Sequence, residues 1–185
     1  MKILLTLFIV SVLICSGSYA QDFDKYWSPV QLSIFGPIAF PPFGNIYGLE
    51  INPIYGSVNN MSGLNSGLCQ NVNNKMSGLQ VGIIFNSAKE LLGAQTAFVN
   101  YSGDVSPFSF QCGIVDVTSR NDGFQIGCIN ISNNYSNCQL GIWNSTANTG
   151  ALQCGIINFS NEELDGLQIG LINIGPSRFF PIINW

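Results

Sequence analysis

The chain has no histidine at all. That removes the commonest general base, the Ser-His and Cys-His nucleophile pairs, and most zinc and copper sites. Charge is also scarce: six Lys and Arg stand against ten Asp and Glu, 9% of the residues together. No basic cluster occurs, so nucleic-acid binding has no electrostatic footing. Cys-x-x-Cys pairs, phosphate loops, nucleophile elbows and recurring calcium-ligand patterns are missing too. Asp, Glu, Ser and Tyr are left for chemistry, and nothing groups them. The expectation is therefore a protein that is not an enzyme and needs no cofactor or metal.

The N-terminus has the form of a secretory leader over residues 1–20. Lys2 supplies the positive end, Ile3 to Ile14 is almost unbroken apolar sequence, and Ser18-Tyr19-Ala20 offers small residues before Gln21. That run is shorter than the roughly 20 residues a membrane helix requires, and no later stretch approaches it. Ile14 before Cys15 argues against lipidation. Without residues 1–20 the chain keeps five basic and ten acidic residues, a net charge of −5. An apolar content of 46% with 13 Phe excludes a disordered chain. The mature length, about 165 residues, fits one domain.

One short phrase recurs through the rest. Its key residues are Glu50, Asn65, Gln80, Gln95, Gln111, Gln125, Gln139, Gln153 and Gln168, spaced by 14 to 16 residues. With the key residue as zero, −1, +1 and +3 are mostly apolar, as in Phe124, Ile126 and Cys128, and +2 is glycine in seven of nine copies. Such alternation predicts a half-buried strand. The strand is expected to end at +5, which is Asn100, Asp116, Asn130, Asn144, Asn158 and Asn173 in six of the last seven copies. Polar turns follow, and no helical periodicity is seen. A fixed period marks an array of one structural unit.

Two all-β arrangements fit: a β-solenoid of about nine 14–16-residue coils with aromatic caps, or an antiparallel meander or 8–10-stranded outer-membrane barrel. In a solenoid, equivalent amides stack about 4.8 Å apart and form ladders. The expected structural ladder comprises Gln80, Gln95, Gln111, Gln125, Gln139, Gln153 and Gln168 with Asn100, Asn130, Asn144, Asn158 and Asn173, and it favours the solenoid. The ending Phe180-Pro181-Ile182-Ile183-Asn184-Trp185 suits a barrel strand, and would bring membrane association with it. Against this, three alternate apolar positions span about 14–20 Å, short of the ~25 Å band of a membrane barrel.

Five cysteines remain after the leader, four of them on the apolar face: Cys112, Cys128, Cys138 and Cys154. Neighbouring-coil pairs would sit roughly 8 Å apart, beyond the ~7 Å limit for a disulfide. Buried, inert thiols are the expectation, for these four and for Cys69. Glu162, Glu163 and Asp165 read as a solvated turn. Asn-x-Ser/Thr sequons at Asn60, Asn100, Asn130, Asn134, Asn144 and Asn158 read as a by-product of the repeat.

The ends lose the repeat and gain aromatics, giving a cap over 21–47, an array over 48–174 and a second cap over 175–185. Pro29-Val30-Gln31-Leu32-Ser33, Tyr47-Gly48-Leu49-Glu50-Ile51-Asn52, tandem Gly-Leu-Gln-Ile-Gly-Leu-Ile-Asn units and Phe-Pro-Ile-Ile-Asn-Trp follow in order. In these the chain resembles the bacterial surface-repeat-containing proteins of spirochaetes and some other bacteria. The resemblance implies an exported bacterial protein of the periplasm, cell surface or outer membrane, with no established activity. It departs at Ala94-Gln95-Thr96-Ala97, at Asn137-Cys138 and in the cysteines. The expected function is a non-enzymatic scaffold whose contact face meets an envelope or host protein or a glycan. That face is expected in the variable turns, such as Ser102–Pro107 and Asn161–Asp165.

Overall fold

The structure, a computed structural model, describes residues 26–185 apart from position 37 and the side chain of Glu163. The expected leader over 1–20 and the start of the first cap lie outside the described residues. The chain forms a β-solenoid of about nine turns, not a barrel. The first cap holds β1 (Trp27–Phe35) and β2 (Ile38–Phe40). Two long strands, β3 (Asn45–Val105) and β4 (Phe110–Leu164), wind through most of the array, and β5 (Leu167–Ile174) and β6 (Phe179–Asn184) complete it.

Successive coils pair in parallel and in register. Gln95 lies opposite Gln111, Asn100 opposite Asp116, and Ser102 opposite Thr118. Gln153 likewise meets Gln168, and Asn158 meets Asn173. Pairing of identical offsets is what a meander cannot supply, so the antiparallel and barrel alternatives fail. Antiparallel pairing is confined to the caps, where β2 lies on β1 and β6 on β5. β1 itself continues the solenoid, with Gln31 opposite Glu50.

The interior holds the opposite face from the one the sequence pattern suggested. Offsets 0, +5 and +7 are buried, whereas −1, +1 and +3 point outward, as with Ile83, Phe98 and Ile142, each more than half exposed. The Gly-bearing +2 position also faces inward, so alternation runs 0, +2, then +5, +7. The phase slips where both +3 and +4 face out, and there the chain turns a corner. Asn at +5 therefore begins the next inward stretch instead of ending the strand. A second pair of adjacent outward residues at +8 and +9, such as Asn133-Asn134 and Asn161-Glu162, marks another corner.

Glycine at +2 follows from this narrow cross-section. A Cβ on Gly141 would lie 2.2 Å from the Gly127 carbonyl oxygen and 2.5 Å from Asn130 Nδ2. Neither can retreat without breaking hydrogen bonds between coils. In the first four coils a different glycine, at −2, takes positive φ (Gly48, Gly63, Gly78, Gly93), with the carbonyl of the coil before it in the way of any Cβ. The sixteen-residue coil places its extra length in the turn at Ser106 to Ser109, where Phe108 takes φ 62°.

The interior changes character along the axis. Ile46, Val58, Met61, Val72, Met76, Ala88, Leu91 and Val105 form one apolar cluster in the first coils. In later coils the matching inward positions are Thr118, Asn121, Ser132, Ser136, Thr146 and Thr149, all buried.

Replacement of Gly141 by alanine is expected to lower the stability measured by urea unfolding by about 1–3 kcal/mol. Ser145→Ala, two coil positions past the corner and facing out, should change it by no more than about 0.5 kcal/mol. Equal effects of the two substitutions would contradict the packing at +2.

Candidate functional site

A buried amide must find partners inside the protein, because an unpaired one costs roughly 1–3 kcal/mol. The solenoid meets this demand with two rows of side chains along its axis. In the first, each glutamine Nε2 donates to the Oε1 of the coil before it: Gln95 to Gln80 at 2.9 Å, Gln111 to Gln95, Gln125 to Gln111, Gln139 to Gln125, Gln153 to Gln139, and Gln168 to Gln153 at 2.8 Å. Most of these Nε2 atoms also reach a +6 carbonyl across the interior, as Gln139 does with Ser145. Asn184 of the cap then donates to Gln168 Oε1 and closes the row.

The second row runs the other way. Asn130 Nδ2 donates forward to Asn144 Oδ1, Asn144 to Asn158, and Asn158 to Asn173, at 2.7–2.8 Å. The same Nδ2 atoms bond the +1 carbonyl of the following coil, such as Leu140 and Cys154. Opposite donation directions oppose the two rows of amide dipoles, and each bond polarises the next. All twelve amides named from the sequence lie in these two rows.

Several members escaped the sequence pattern. Asn86 sits at +6, one place late, yet donates to Asn100 Oδ1 at 3.2 Å. The +7 hydroxyls also turn inward: Ser102 Oγ donates to Gln95 Oε1, and Thr118 Oγ1 bonds the Gly103 carbonyl. This explains four of the six sequons, since Asn at +5 and a hydroxyl at +7 are both interior positions, whereas Asn60 and Asn134 stand at +10 and +9. Their asparagines at 100, 130, 144 and 158 are fully buried.

Two carboxyls interrupt the rows. Asp116 occupies an asparagine position and accepts from Asn100 at 2.7 Å through Oδ1, but it has no amide to pass on. Its Oδ2 and the Oδ1 of Asn130 are both buried without a hydrogen bond. Burial raises the Asp116 pKa to about 6 against the lowering influence of Asn100 and the Gly113 backbone. Glu50, at the key position of the first array coil, is raised to about 7 by burial, with the Asn52 side chain near enough to lower it but outside hydrogen-bonding geometry.

The cysteines divide. Cys69 and Cys138 are buried, and burial raises the Cys138 thiol with a smaller push from Cys154. Cys112 and Cys128 are exposed and Cys154 is half-buried, which corrects the expectation of five inert thiols. The cause is the inversion of the wall: Cys112 and Cys154 at +1 and Cys128 at +3 look outward, and Cys138 at −1 is the covered exception on that face. None of the five is in a disulfide.

The turns expected to bear function lie partly inside, since Ser102 and Val105 are buried. Asn161, Glu162 and Asp165 are exposed. Among the described residues, no three His, Cys, Asp or Glu side chains come together in a metal-ligating group. A hollow of about 140 Å³ beside the second cap, lined by Leu164, Arg178 and Trp185 among others, falls short of the ~300 Å³ of ordinary ligand pockets. The amide rows thus bond within the solenoid from coil to coil, and the outward rows of side chains face away from them.

Both raised carboxyls hold their protons more tightly folded than unfolded. Their stabilising contribution is complete below the ordinary carboxylate range and is lost as pH rises through about 6 for Asp116 and about 7 for Glu50. For Asp116, the rise from 3.8 to about 6 corresponds to about 3 kcal/mol. Asp116→Asn restores the missing donor. It should raise stability at pH 7 by about 1–3 kcal/mol and shrink the gain that the parent shows on acidification from pH 7 to 5. A substitution that destabilises at pH 7 would refute the interrupted row. Thiol titration of the folded chain should modify Cys112 and Cys128 first, leaving Cys69 and Cys138 until denaturation. Early reaction of Cys69 or Cys138 would contradict their burial.

Comparison with family models, with curated proteins and with solved structures gives no match for this chain, so its function is argued from its own geometry.

Proposed function

We propose that this chain is an exported, non-enzymatic repeat scaffold of a bacterial envelope, of the surface-repeat type its sequence resembles. The observation that supports this most is where the polar chemistry is spent. Most amides of the Gln80–Gln168 row and of the asparagine row are turned inward and bonded to a neighbouring coil, so they are withdrawn from the outer surface. What remains outside is a long, regular surface built by repetition, the form taken by proteins that present contact faces. The leader-like segment over 1–20 supports export. The exposed residues of the +8 to +12 edge differ from coil to coil, and variation there suits recognition of an envelope or host protein or a glycan.

Export is checked by expressing the full chain in a Gram-negative host, fractionating the cells and sequencing the N-terminus of the product. Cleavage before Gln21 with recovery in the periplasm, envelope or medium is the expected outcome. An intact leader on cytosolic protein would sink the proposal.

A further inference from the structure

The outward positions of the coils are sorted with unusual strictness. At +3 the nine coils carry Pro53, Leu68, Ile83, Phe98, Ile114, Cys128, Ile142, Ile156 and Leu171. At +4 every coil is apolar as well, from Ile54 through Trp143 to Ile172. No polar residue interrupts either row. Since +3 and +4 flank a corner, they form a ridge along the array, covered at +4 of the second coil where Cys69 is buried, and Ile34 and Phe35 carry it onto β1. The residues Ile83, Phe98, Ile142, Trp143 and Leu171 on this ridge are 44–68% exposed. Behind it, +1 and −1 continue one wall with Ile126, Ile169 and Phe110, broken by Ser66 and Thr96. The +6 position continues the other with Tyr101, Val117, Ile131, Phe159 and Ile174, broken by Gly56, Asn71, Asn86 and Ser145.

Charge is confined to the far side. Between −1 and +6 the only charged residues of the array are Glu50 and Asp116, and both point inward. The described exposed or half-exposed charges of the array, Lys75, Lys89, Glu90, Asp104, Arg120, Asp122, Glu162 and Asp165, all fall at +9 to +12. The cross-section is therefore amphipathic, with an apolar wedge on one side and a charged edge on the other.

We infer that the +3/+4 ridge is a membrane contact that seats the solenoid in the interfacial region of a phospholipid bilayer, with the +9 to +12 edge in water. Three observations select this occupant. First, the apolar surface is too large to stand in water unexplained. Nine coils at ~4.8 Å and about 23 Å of contour give two walls of on the order of 1,000 Å², most of it apolar despite Ser66, Asn71, Thr96 and Ser145, against ~300–600 Å² for the largest patch of an ordinary monomer. Second, its shape excludes a second copy as the full cover. The walls diverge from the ridge, and the larger one offers about 550 Å², below the ~800 Å² per partner of a stable interface. A fluid apolar phase covers both walls and the ridge together. Third, the wall backbone is paired from coil to coil, as from Ala94 with Phe110 to Val105 with Asn121, which is the condition for strands to enter lipid. Insertion by ~5–10 Å, as for interfacial amphipathic helices, would bury the ridge and its adjoining rows.

The charged edge mixes signs, so attraction to anionic lipid plays no part. This inference is independent of the scaffold proposal: an exported scaffold that ignores lipid would leave that proposal standing.

The test uses the full chain carrying Trp27→Phe and Trp185→Phe, which leaves Trp143 on the ridge as the single reporter. It is mixed with phosphatidylcholine vesicles bearing bromine on the acyl chains. Expected results are a blue shift and quenching of Trp143 that persist in high salt. A second chain adds Ile83→Glu, Ile114→Glu and Ile156→Glu. Its partition into vesicles should fall about tenfold or more, whereas Lys75→Glu with Arg120→Glu should leave partition unchanged. Absence of Trp143 quenching would overturn the inference. So would equal partition of the triple variant, or a soluble dimer that the triple variant dissolves and vesicles do not touch. Because quenching is read on the chain with an intact ridge, failure of the triple variant to fold does not protect the idea.

Discussion

Everything in this molecule depends on one constraint: a buried amide has to be paired, and here its partner is the same residue one coil away. A glutamine at 0 can bond the glutamine before it only if the two coils are in register. The asparagine row imposes the same condition from the other side of the cavity. From Gln80 onward register is thus fixed at two points on most coils, and sliding one coil by one residue would break the side-chain bonds of both rows. Coil length is free to vary between these points and the next, which is why spacings of 14 and 16 coexist. The surplus residue falls at Ser106 to Ser109, on the edge, where no interior bond is disturbed.

Hydrophobic burial and amide pairing divide the array between them. The first coils hold a run of Ile, Val, Met and Leu on the axis opposite the amides, and there burial supplies stability in the ordinary way. Beyond Val105 that apolar filling gives way to Thr, Ser and Asn. The later coils rely on hydrogen bonds whose net contribution is about 1 kcal/mol each but whose loss costs more. Such an interior is specific before it is strong, and Asp116 marks its weak point: the chain of donors runs in from Asn100 and restarts at Asn130.

The period, the parallel stack and the twelve amides were legible in the sequence because each leaves an identical residue at an identical offset. What the alternation could not say was which face is inside. Apolar residues at −1, +1 and +3 normally mark a core, and the cysteines among them were read as buried for that reason. In a coil of some fifteen residues the interior is too thin for large side chains on both walls, as the crowding at Gly141 and Gly155 shows. Slim amides that pair along the axis fit it, and the branched residues go outside. Asn86 was invisible because it sits one place out of phase, and the +7 hydroxyls because Ser and Thr beside an asparagine read as a turn.

An exterior of this kind has consequences for association that the caps and the walls meet differently. Strand edges at either end are blunted: β2 is three residues long and runs into Pro41 and Pro42, and β6 carries Pro181. Both devices oppose end-to-end growth of the sheet. Nothing comparable guards the ridge, where no charge interrupts the outward rows over nine coils. A sequence shaped only for solubility would place lysines there, as it does at +9 and +10 with Lys89 and Lys75. Guarded ends beside an unguarded flank are the arrangement that the proposed membrane contact requires, and a polar interior alone does not call for it.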